Sequence, residues 1–319
     1  MLRRGSAIFY GGSSRPYDPP QILWYFGAVT AALMANATVF SVSPAARGTY
    51  QLLVALLFLS AFVGGCVVLF RAGWTTPGGV LAAAVVTLVP AVGEGVERLL
   101  GVWPDSAEDV VGLLQGDFQG ALFALGLATI AAGCAAYALT RFPFVLAPVT
   151  VAVVGTVQLA VPAFVEEASP GDRAGFFIGT GAVLVLLGLV LDALPRRPEA
   201  FWWHVSGLFA VAVGLAWHAL AADRGWAWIA MLVLGVALVV TSAPLQRAAW
   251  TTYGLVGLYG AVLHYATEWV GSWKQPALML AASLALLVLG IALHRDAQDW
   301  VSRRGAAPPA DEAGSPTAA

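Results

Sequence analysis

Long runs of apolar residues alternate with short polar connections along most of the 319-residue chain. A helix that crosses the hydrocarbon core of a bilayer needs about 20 mostly apolar residues. Ten runs are of about this length, and none shows the polar–apolar alternation of a membrane β-strand. They cover residues 22–43, 50–70, 77–96, 118–140, 142–165, 174–194, 201–221, 226–243, 249–268 and 276–294. The pattern therefore predicts an all-α fold, a polytopic membrane bundle of about ten transmembrane helices.

The composition favours a membrane environment over an aqueous one. Hydrophobic residues make up 59% of the chain and charged residues 11%, whereas a typical soluble domain carries about 25% charged residues. So few ionic groups cannot cover a water-soluble globule of this length. A net charge of −2 without a basic block argues against a nucleic-acid partner, and two cysteines argue against a disulfide scaffold. We expect the lipid bilayer to surround most of the chain.

The basic residues divide unequally between the two sets of connections. If both termini are cytoplasmic, eleven Lys and Arg residues lie on the cytoplasmic side and five on the opposite side. Cytoplasmic loops of membrane proteins are enriched in these residues, so the distribution predicts cytoplasmic N- and C-termini in a cell (plasma or inner) membrane. It also predicts a cytoplasmic arm at 1–21, a transmembrane domain at 22–294, and a cytoplasmic, largely disordered tail at 295–319.

Two kinds of internal repeat are compatible with ten spans. A five-plus-five division near residues 166–173 would make the halves inverted, with the two least regular spans, the third and the eighth, in corresponding positions. Alternatively the repeating unit is a helical hairpin, because the heptads LVLGVAL around Gly235 and LVLGIAL around Gly290 differ at one position. The sequence leaves both alternatives open.

Three segments of the second half suggest a family. FWWHVSGLFAVAVGLAW, TTYGLVGLYGAVLHYATEW and LALLVLGIALHRD resemble part of a class of uncharacterised bacterial multi-pass membrane proteins, over residues 200–295. That resemblance implies a membrane location and no particular activity. The number of spans also resembles the drug/metabolite transporter superfamily, which implies transport of a small solute.

Glu94 and Glu97 are the most notable ionisable residues of the third span. Ionisable side chains within a membrane are costly and mark functional sites by default. Pro90 lacks a backbone donor, and glycines flank Glu94, so we expect the helix to open near Pro90 and to expose Glu94 to an aqueous vestibule. The pair would then bind a cation or a proton. The alternative is a helix end closed by an ion pair between Glu94 and Arg98, four residues apart.

Two further spans place ionisable residues near the same predicted outer boundary. His264 and Glu268 lie four residues apart on the ninth span, and His218 ends the seventh. Together with Glu94 and Glu97 they form a candidate substrate- or ion-binding site, the alternative being ordinary polar residues at the membrane surface. A metal would need more ligands than this spacing supplies.

The remaining polar residues of the spans suggest structural roles. His204, within FWWH, fits an aromatic belt at the cytoplasmic interface. Asn36 and Gln158 lie deep in their spans and are expected to bond a neighbouring helix.

The sequence contains no nucleophile elbow, zinc-protease motif, Walker A loop or dinucleotide fingerprint, so we expect neither an enzyme nor a cofactor. The most favoured function is a small-solute transporter or permease for a small molecule or ion. The alternative is a non-transporting membrane scaffold or accessory subunit. Protein partners and homo-oligomers stay open.

Overall fold

Helices account for all the regular structure that is described. The computed structural model describes residues 19–41, 48–103, 120–165, 168–194, 197–222, 224–245 and 247–270. In these ranges there are nine α-helices and no strand. They are α1 (Pro19–Phe40), α2 (Thr49–Arg71), α3 (Thr75–Leu99), α4 (Gly120–Thr140), α5 (Leu146–Phe164), α6 (Pro170–Ala193), α7 (Arg197–Leu220), α8 (Trp226–Leu245) and α9 (Ala248–Val270). A 3₁₀ turn at Pro143–Val145 leads into α5.

The helices agree with the apolar runs of the sequence. Each of the first nine predicted spans coincides with one helix, with bounds that differ by at most four residues. Seven helices, α1 to α7, are long and apolar enough to cross a membrane, which indicates a multi-pass membrane protein. The apolar stretch of α8, Trp226–Ser242, is shorter. The tenth predicted span, 276–294, lies outside the described residues, so the full count and the side of the termini stay predictions.

Helix α3 is the central helix of its neighbourhood and packs against α1, α2, α4 and α5. It runs without interruption from Thr75 to Leu99 with Pro90 inside it, so the expected opening near Pro90 is wrong. Val86, Leu88 and Ala91, on either side of the proline, are almost completely buried. Packing on several sides therefore holds the backbone helical where a proline alone would favour a break.

Helix α6 begins four residues before the apolar run that predicted it. Ser169 and Asp172 form a capping box, in which the Ser169 hydroxyl accepts from the Asp172 backbone N–H and the Asp172 carboxylate accepts from the Ser169 backbone N–H. Pro170 occupies the first turn, where a missing N–H costs nothing. The cap, rather than hydrophobicity, sets where this helix starts.

Glycines let two pairs of helices approach closely. A Cβ on Gly181 of α6 would meet the backbone of Gly207 of α7, and a Cβ on Gly207 would meet the carbonyl of Gly181. The same reciprocal contact joins Gly235 of α8 and Gly254 of α9. Close backbone approach through small residues is typical of membrane helix pairs. The predicted repeats themselves remain untested.

The chain divides into two compact units, Met1–Leu258 and Tyr259–Ala319. The helix contacts above and the clusters below lie in the first unit. Of the second, the structure describes only the last turns of α9.

Candidate functional site

The last turns of α3 carry the ion pair that the sequence offered as an alternative to an open helix. Arg98 Nε donates to Glu94 Oε1 at 2.8 Å, and the Glu94 residue is 7% exposed. The guanidinium of Arg98 also lies 4.9 Å from the centre of the Trp103 ring. Glu94 is therefore buried against protein and paired within its own helix.

Helix α2 covers this end of α3. A Cβ on Gly48 would lie 3.7 Å from the Cβ of Arg98, and Ala55 packs against Ala91. Gln51 lies between Gly48 and Ala55 on the same face of α2, since residues three and four apart share a face. Gln51 is therefore at the same height along the α2–α3 helix pair as Glu94.

Several polar atoms at this end of α3 are buried without a hydrogen-bond partner in the described structure. They are Gln51 Nε2 and Oε1, Glu97 Oε2 and Trp103 Nε1. The Gln51 residue is 1% exposed. We refer to Gln51, Glu94, Glu97, Arg98 and Trp103 as the Glu94 cluster.

The other three predicted site residues, His218, His264 and Glu268, either lie away from the end of α3 or have side chains outside the described residues. The His218 ring, at the end of α7, lies 5.0 Å from the Trp226 ring and contacts the start of α6 at Gly171. His264 belongs to the second unit, where its ring contacts Tyr265. The Glu268 side chain lies outside the described residues. The structure thus brings Glu94 and Glu97 together, and the joint site with the other three remains a prediction.

A second cluster of ionisable residues forms where α6 ends and α7 begins. The Asp192 carboxylate is paired with the Arg247 guanidinium, whose Nε lies 3.1 Å from Asp192 Oδ2. His204 Nε2 lies 2.9 Å from the same oxygen. A carboxylate can only accept, so His204 donates from Nε2 and its Nδ1 is left as an acceptor. We refer to Asp192, His204, Arg247 and Trp250 as the Asp192 cluster.

The Asp192 cluster is almost sealed from its surroundings. The His204 residue is 1% exposed, and its ring meets the Trp250 ring edge-on at 5.5 Å. A Cβ on Gly188 would lie 2.8 Å from His204 Cε1, so the missing side chain makes room for the ring. Assignment of His204 to an aromatic interface belt was therefore wrong: the ring is a buried bonding partner. The available signal was an aspartate at the end of one span and a histidine near the start of the next.

The two clusters lie at opposite ends of the first unit. Gly79, at the start of α3, packs on Phe142, and Phe144 packs against Trp202 near the start of α7. The start of α3 and the start of α7 are therefore at one end. Glu94 is 15 residues further along α3, which corresponds to roughly 22 Å of helix.

A groove of about 450 Å³ opens between α1, α3, α4 and α5. Its lining is almost entirely apolar and lacks Glu94. Six lining residues are alanines: Ala28, Ala32, Ala83, Ala84, Ala147 and Ala152. Val29, Leu33 and Val151 at its edge are exposed, so the groove is open on that side.

Three polar side chains line this groove: Asn36, Thr87 and Thr129. Asn36 Nδ2 donates to Thr87 Oγ1 at 3.3 Å and to the Ala32 carbonyl at 2.8 Å. The prediction that Asn36 bonds a neighbouring helix is confirmed. The same prediction for Gln158 is wrong, because both of its side-chain amide atoms are buried without a partner in the described structure. Its depth in the span indicated burial but could not indicate which polar group, if any, would face it.

Comparison with protein-family models, with curated proteins and with solved structures finds no match to this chain. Among the described residues, no group of three or more His, Cys, Asp or Glu side chains is arranged to hold a metal ion. The groove and the two clusters are the features of the described residues that bear on function.

Proposed function

We propose that the chain is a small-solute transporter or permease, and that the groove between α1, α3, α4 and α5 holds the solute. The observation that carries the proposal is the groove itself. Its volume of about 450 Å³ lies within the range of roughly 300–1,000 Å³ that is usual for small-molecule sites. Such sites combine apolar walls with a few polar groups, and this groove combines alanines and valines with the Asn36–Thr87 contact.

The lining indicates the class of solute. Apolar walls favour a solute with an apolar body, and the Asn36 amide and Thr87 hydroxyl suit one neutral polar group on it. A charged group would be left without a countercharge, because no ionisable side chain lines the groove. We therefore favour a small amphipathic molecule of low net charge.

The buried ionisable clusters support transport in a second way. Ionisable residues within membrane helices are candidates for functional sites by default. Here they occur at both ends of the unit that contains the groove.

The alternative function is a membrane scaffold or accessory subunit whose partner helix fills the same groove. The alanine-rich lining is the observation in its favour, since small residues let a second helix approach closely. A groove-blocking substitution distinguishes the two functions if transport and complex formation are measured on the same variant.

The test uses purified full-length protein in liposomes and a panel of radiolabelled neutral amphipathic solutes, including branched aliphatic alcohols, short-chain amides and phenols. We expect uptake of at least one class above that of empty liposomes. Ala28→Phe, which fills the groove, should abolish that uptake. Ala37→Phe is the matched control, because Ala37 is exposed on the same helix and does not line the groove.

Absence of uptake by the wild-type chain across the panel overturns the transporter proposal. Loss of a co-purifying membrane partner in Ala28→Phe alone would then favour the scaffold.

A further inference from the structure

Two polar side chains mark one end of the groove. Asn36 is the last residue that α1 contributes to the lining, and Thr87 is the last that α3 contributes. The lining residues that precede them on both helices are apolar. The two helices run in the same direction, because Trp24 stacks on Trp74 near their starts and Asn36 bonds Thr87 further along both. The groove is therefore apolar over most of its length and polar at the end of Asn36 and Thr87.

Thr129 of α4 lies near the same end. A Cβ on Gly93 of α3 would meet the Leu125 side chain of α4, and a Cβ on Gly133 of α4 would lie 3.2 Å from Val86 of α3. These two helices are therefore antiparallel. Thr129 is midway between Leu125 and Gly133, so it is level with the stretch of α3 midway between Gly93 and Val86. That level is within one helical turn of the threonine on α3.

The side-chain protons of these three residues are already bonded to the protein. Asn36 Nδ2 carries two hydrogens, and it donates to the Ala32 carbonyl at 2.8 Å and to Thr87 Oγ1 at 3.3 Å. The hydroxyls of Thr87 and Thr129 each donate at 2.8 Å to a carbonyl of the preceding turn of their own helix. The other described lining side chains are apolar. The lining side chains therefore have no proton left to donate to a bound molecule.

Oxygen atoms that can accept a hydrogen bond remain at this end. The Asn36 amide oxygen accepts from no described residue, and it is not among the enclosed polar atoms that lack a partner. The nitrogen and the oxygen of this amide cannot exchange places, because the Ala32 carbonyl can only accept and must face the nitrogen. The Thr129 oxygen donates its one proton and keeps its lone pairs. The polar end of the groove thus presents acceptors alone.

We propose that the groove selects neutral solutes that carry a hydrogen-bond donor, an O–H or N–H group, at one end of an apolar body. The donor lies at Asn36 and Thr129, and the body extends along α1 towards Ala28, eight residues or roughly 12 Å away. A solute whose only polar group is an acceptor, such as a ketone, loses its bonds to water and gains none from these side chains. The inference rests on the solute site of the proposed function and names the class of solute for it.

The experiment compares menthol with menthone, which share one carbon skeleton and differ in whether the oxygen carries a proton. Purified full-length protein in lipid nanodiscs is incubated with tritiated menthol, and empty nanodiscs give the blank. Each unlabelled compound then competes for the bound label. We expect menthol to displace the label at about one tenth of the concentration that menthone needs. Equal potency of the two compounds overturns the proposal, and so does an absence of saturable binding.

This result is distinguishable from failure of the proposed function. Saturable binding without preference for menthol overturns donor selection and leaves transport to be decided by uptake into liposomes. A preference for menthol in a chain that takes up no solute supports donor selection and overturns transport.

Thr87→Val tests the same hydrogen bonds in the opposite direction. Valine has nearly the shape of threonine but cannot accept from Asn36, so one Asn36 N–H becomes free to donate to a ketone. We expect menthone to bind more tightly to this variant, and the preference for menthol to fall to about 3-fold or less. Thr38→Val is the matched control, because the Thr38 hydroxyl donates to the Met34 carbonyl on the exposed side of α1 and does not line the groove. An undiminished preference in Thr87→Val overturns the proposal.

Asn36→Leu keeps the proposal testable where Thr87→Val fails to fold. Leucine has a similar volume and removes the amide oxygen that accepts from the solute. We expect the variant to bind menthol about 10-fold more weakly than the wild type and menthone with unchanged affinity. Equal losses for the two compounds would mean that the substitution only disturbs the groove, and they would overturn the role of Asn36 as the acceptor.

Discussion

The Glu94 cluster and the Asp192 cluster contain the same kinds of side chain but obtain their partners in different ways. Each has a carboxylate paired with an arginine, and in each a tryptophan ring lies beside a charged or polar partner. In the Glu94 cluster the pair lies within one turn of one helix. In the Asp192 cluster the arginine is 55 residues away along the chain and the histidine 12.

That difference matters for what each cluster does. The Asp192 carboxylate receives bonds from two residues on separate elements, so it ties α6, α7 and the segment before α9 together. The Glu94–Arg98 bond joins two residues of the same helix and therefore connects no second element to α3. We interpret the Asp192 cluster as a connection between helices and the Glu94–Arg98 pair as a local ion pair at the end of one helix.

Removal of the arginine should separate the clusters most clearly. Arg247→Leu removes a buried guanidinium that joins separate elements, and breaking such a pair from one side costs about 3–5 kcal/mol. Arg98→Leu should cost less, about 1–3 kcal/mol, because the Arg98 side chain is 17% exposed against 7% for Arg247 and its bond to Glu94 lies within one helix. Unfolding in mixed micelles with increasing SDS, followed by circular dichroism, measures both.

The double variant Asp192→Asn with Arg247→Leu is the control for this prediction. It removes both charges and should recover part of the loss, because no unpaired buried charge remains. Equal costs for the two single arginine variants would contradict the distinction between the clusters.

Glycine substitutions test how each cluster is packed. A Cβ on Gly95 would meet the backbone of Leu52 at 3.0 Å, whereas a Cβ on Gly188 would meet the His204 ring at 2.8 Å. Backbone atoms cannot move without shifting α2, while a ring can tilt. We therefore expect Gly95→Ala to lie at the upper end of the usual overpacking cost of about 1–3 kcal/mol and Gly188→Ala at the lower end.

Gly179→Ala provides the baseline for both in the same SDS titration. Gly179 is in α6 with no atom within 4 Å of an added Cβ, so alanine should be neutral or stabilising there. If Gly188→Ala is as harmless as this control, the His204 ring does not depend on the glycine as the structure indicates.

The sequence predicted those features that depend on residues near one another in the chain. Apolar runs located nine helices because lipid requires a whole span to be apolar, whatever it packs against. The Glu94–Arg98 pair followed from a spacing of four. The spacing of 12 residues across a short connection was a signal for the contact between Asp192 and His204, but Arg247 joins them only through the register of distant helix ends, which no local pattern encodes.

Two errors have the same origin. Pro90 favours a break by its own chemistry, but the burial of α3 on several sides outweighs it. Gln158 was expected to bond a neighbouring helix, yet its amide atoms have no partner in the described structure. In both cases tertiary packing determines the structure at the residue, and the neighbouring sequence does not specify that packing. The groove depends in the same way on how four helices are placed.

The smallest expected effect comes from replacing each carboxylate by its amide. In Glu94→Gln the amide oxygen can still accept from Arg98 Nε, and loss of a negative charge from a helix C-terminus is itself favourable by about 0.3–1 kcal/mol. The two changes largely offset each other, so Glu94→Gln should alter the free energy of unfolding by less than about 1 kcal/mol. Asp192→Asn has no such compensation, because it replaces the charged acceptor that Arg247 and His204 share by a neutral one. We therefore expect Asp192→Asn to be the more destabilising of the two in the same SDS titration. The reverse order would mean that Glu94, rather than Asp192, is the carboxylate on which the packing of this unit depends.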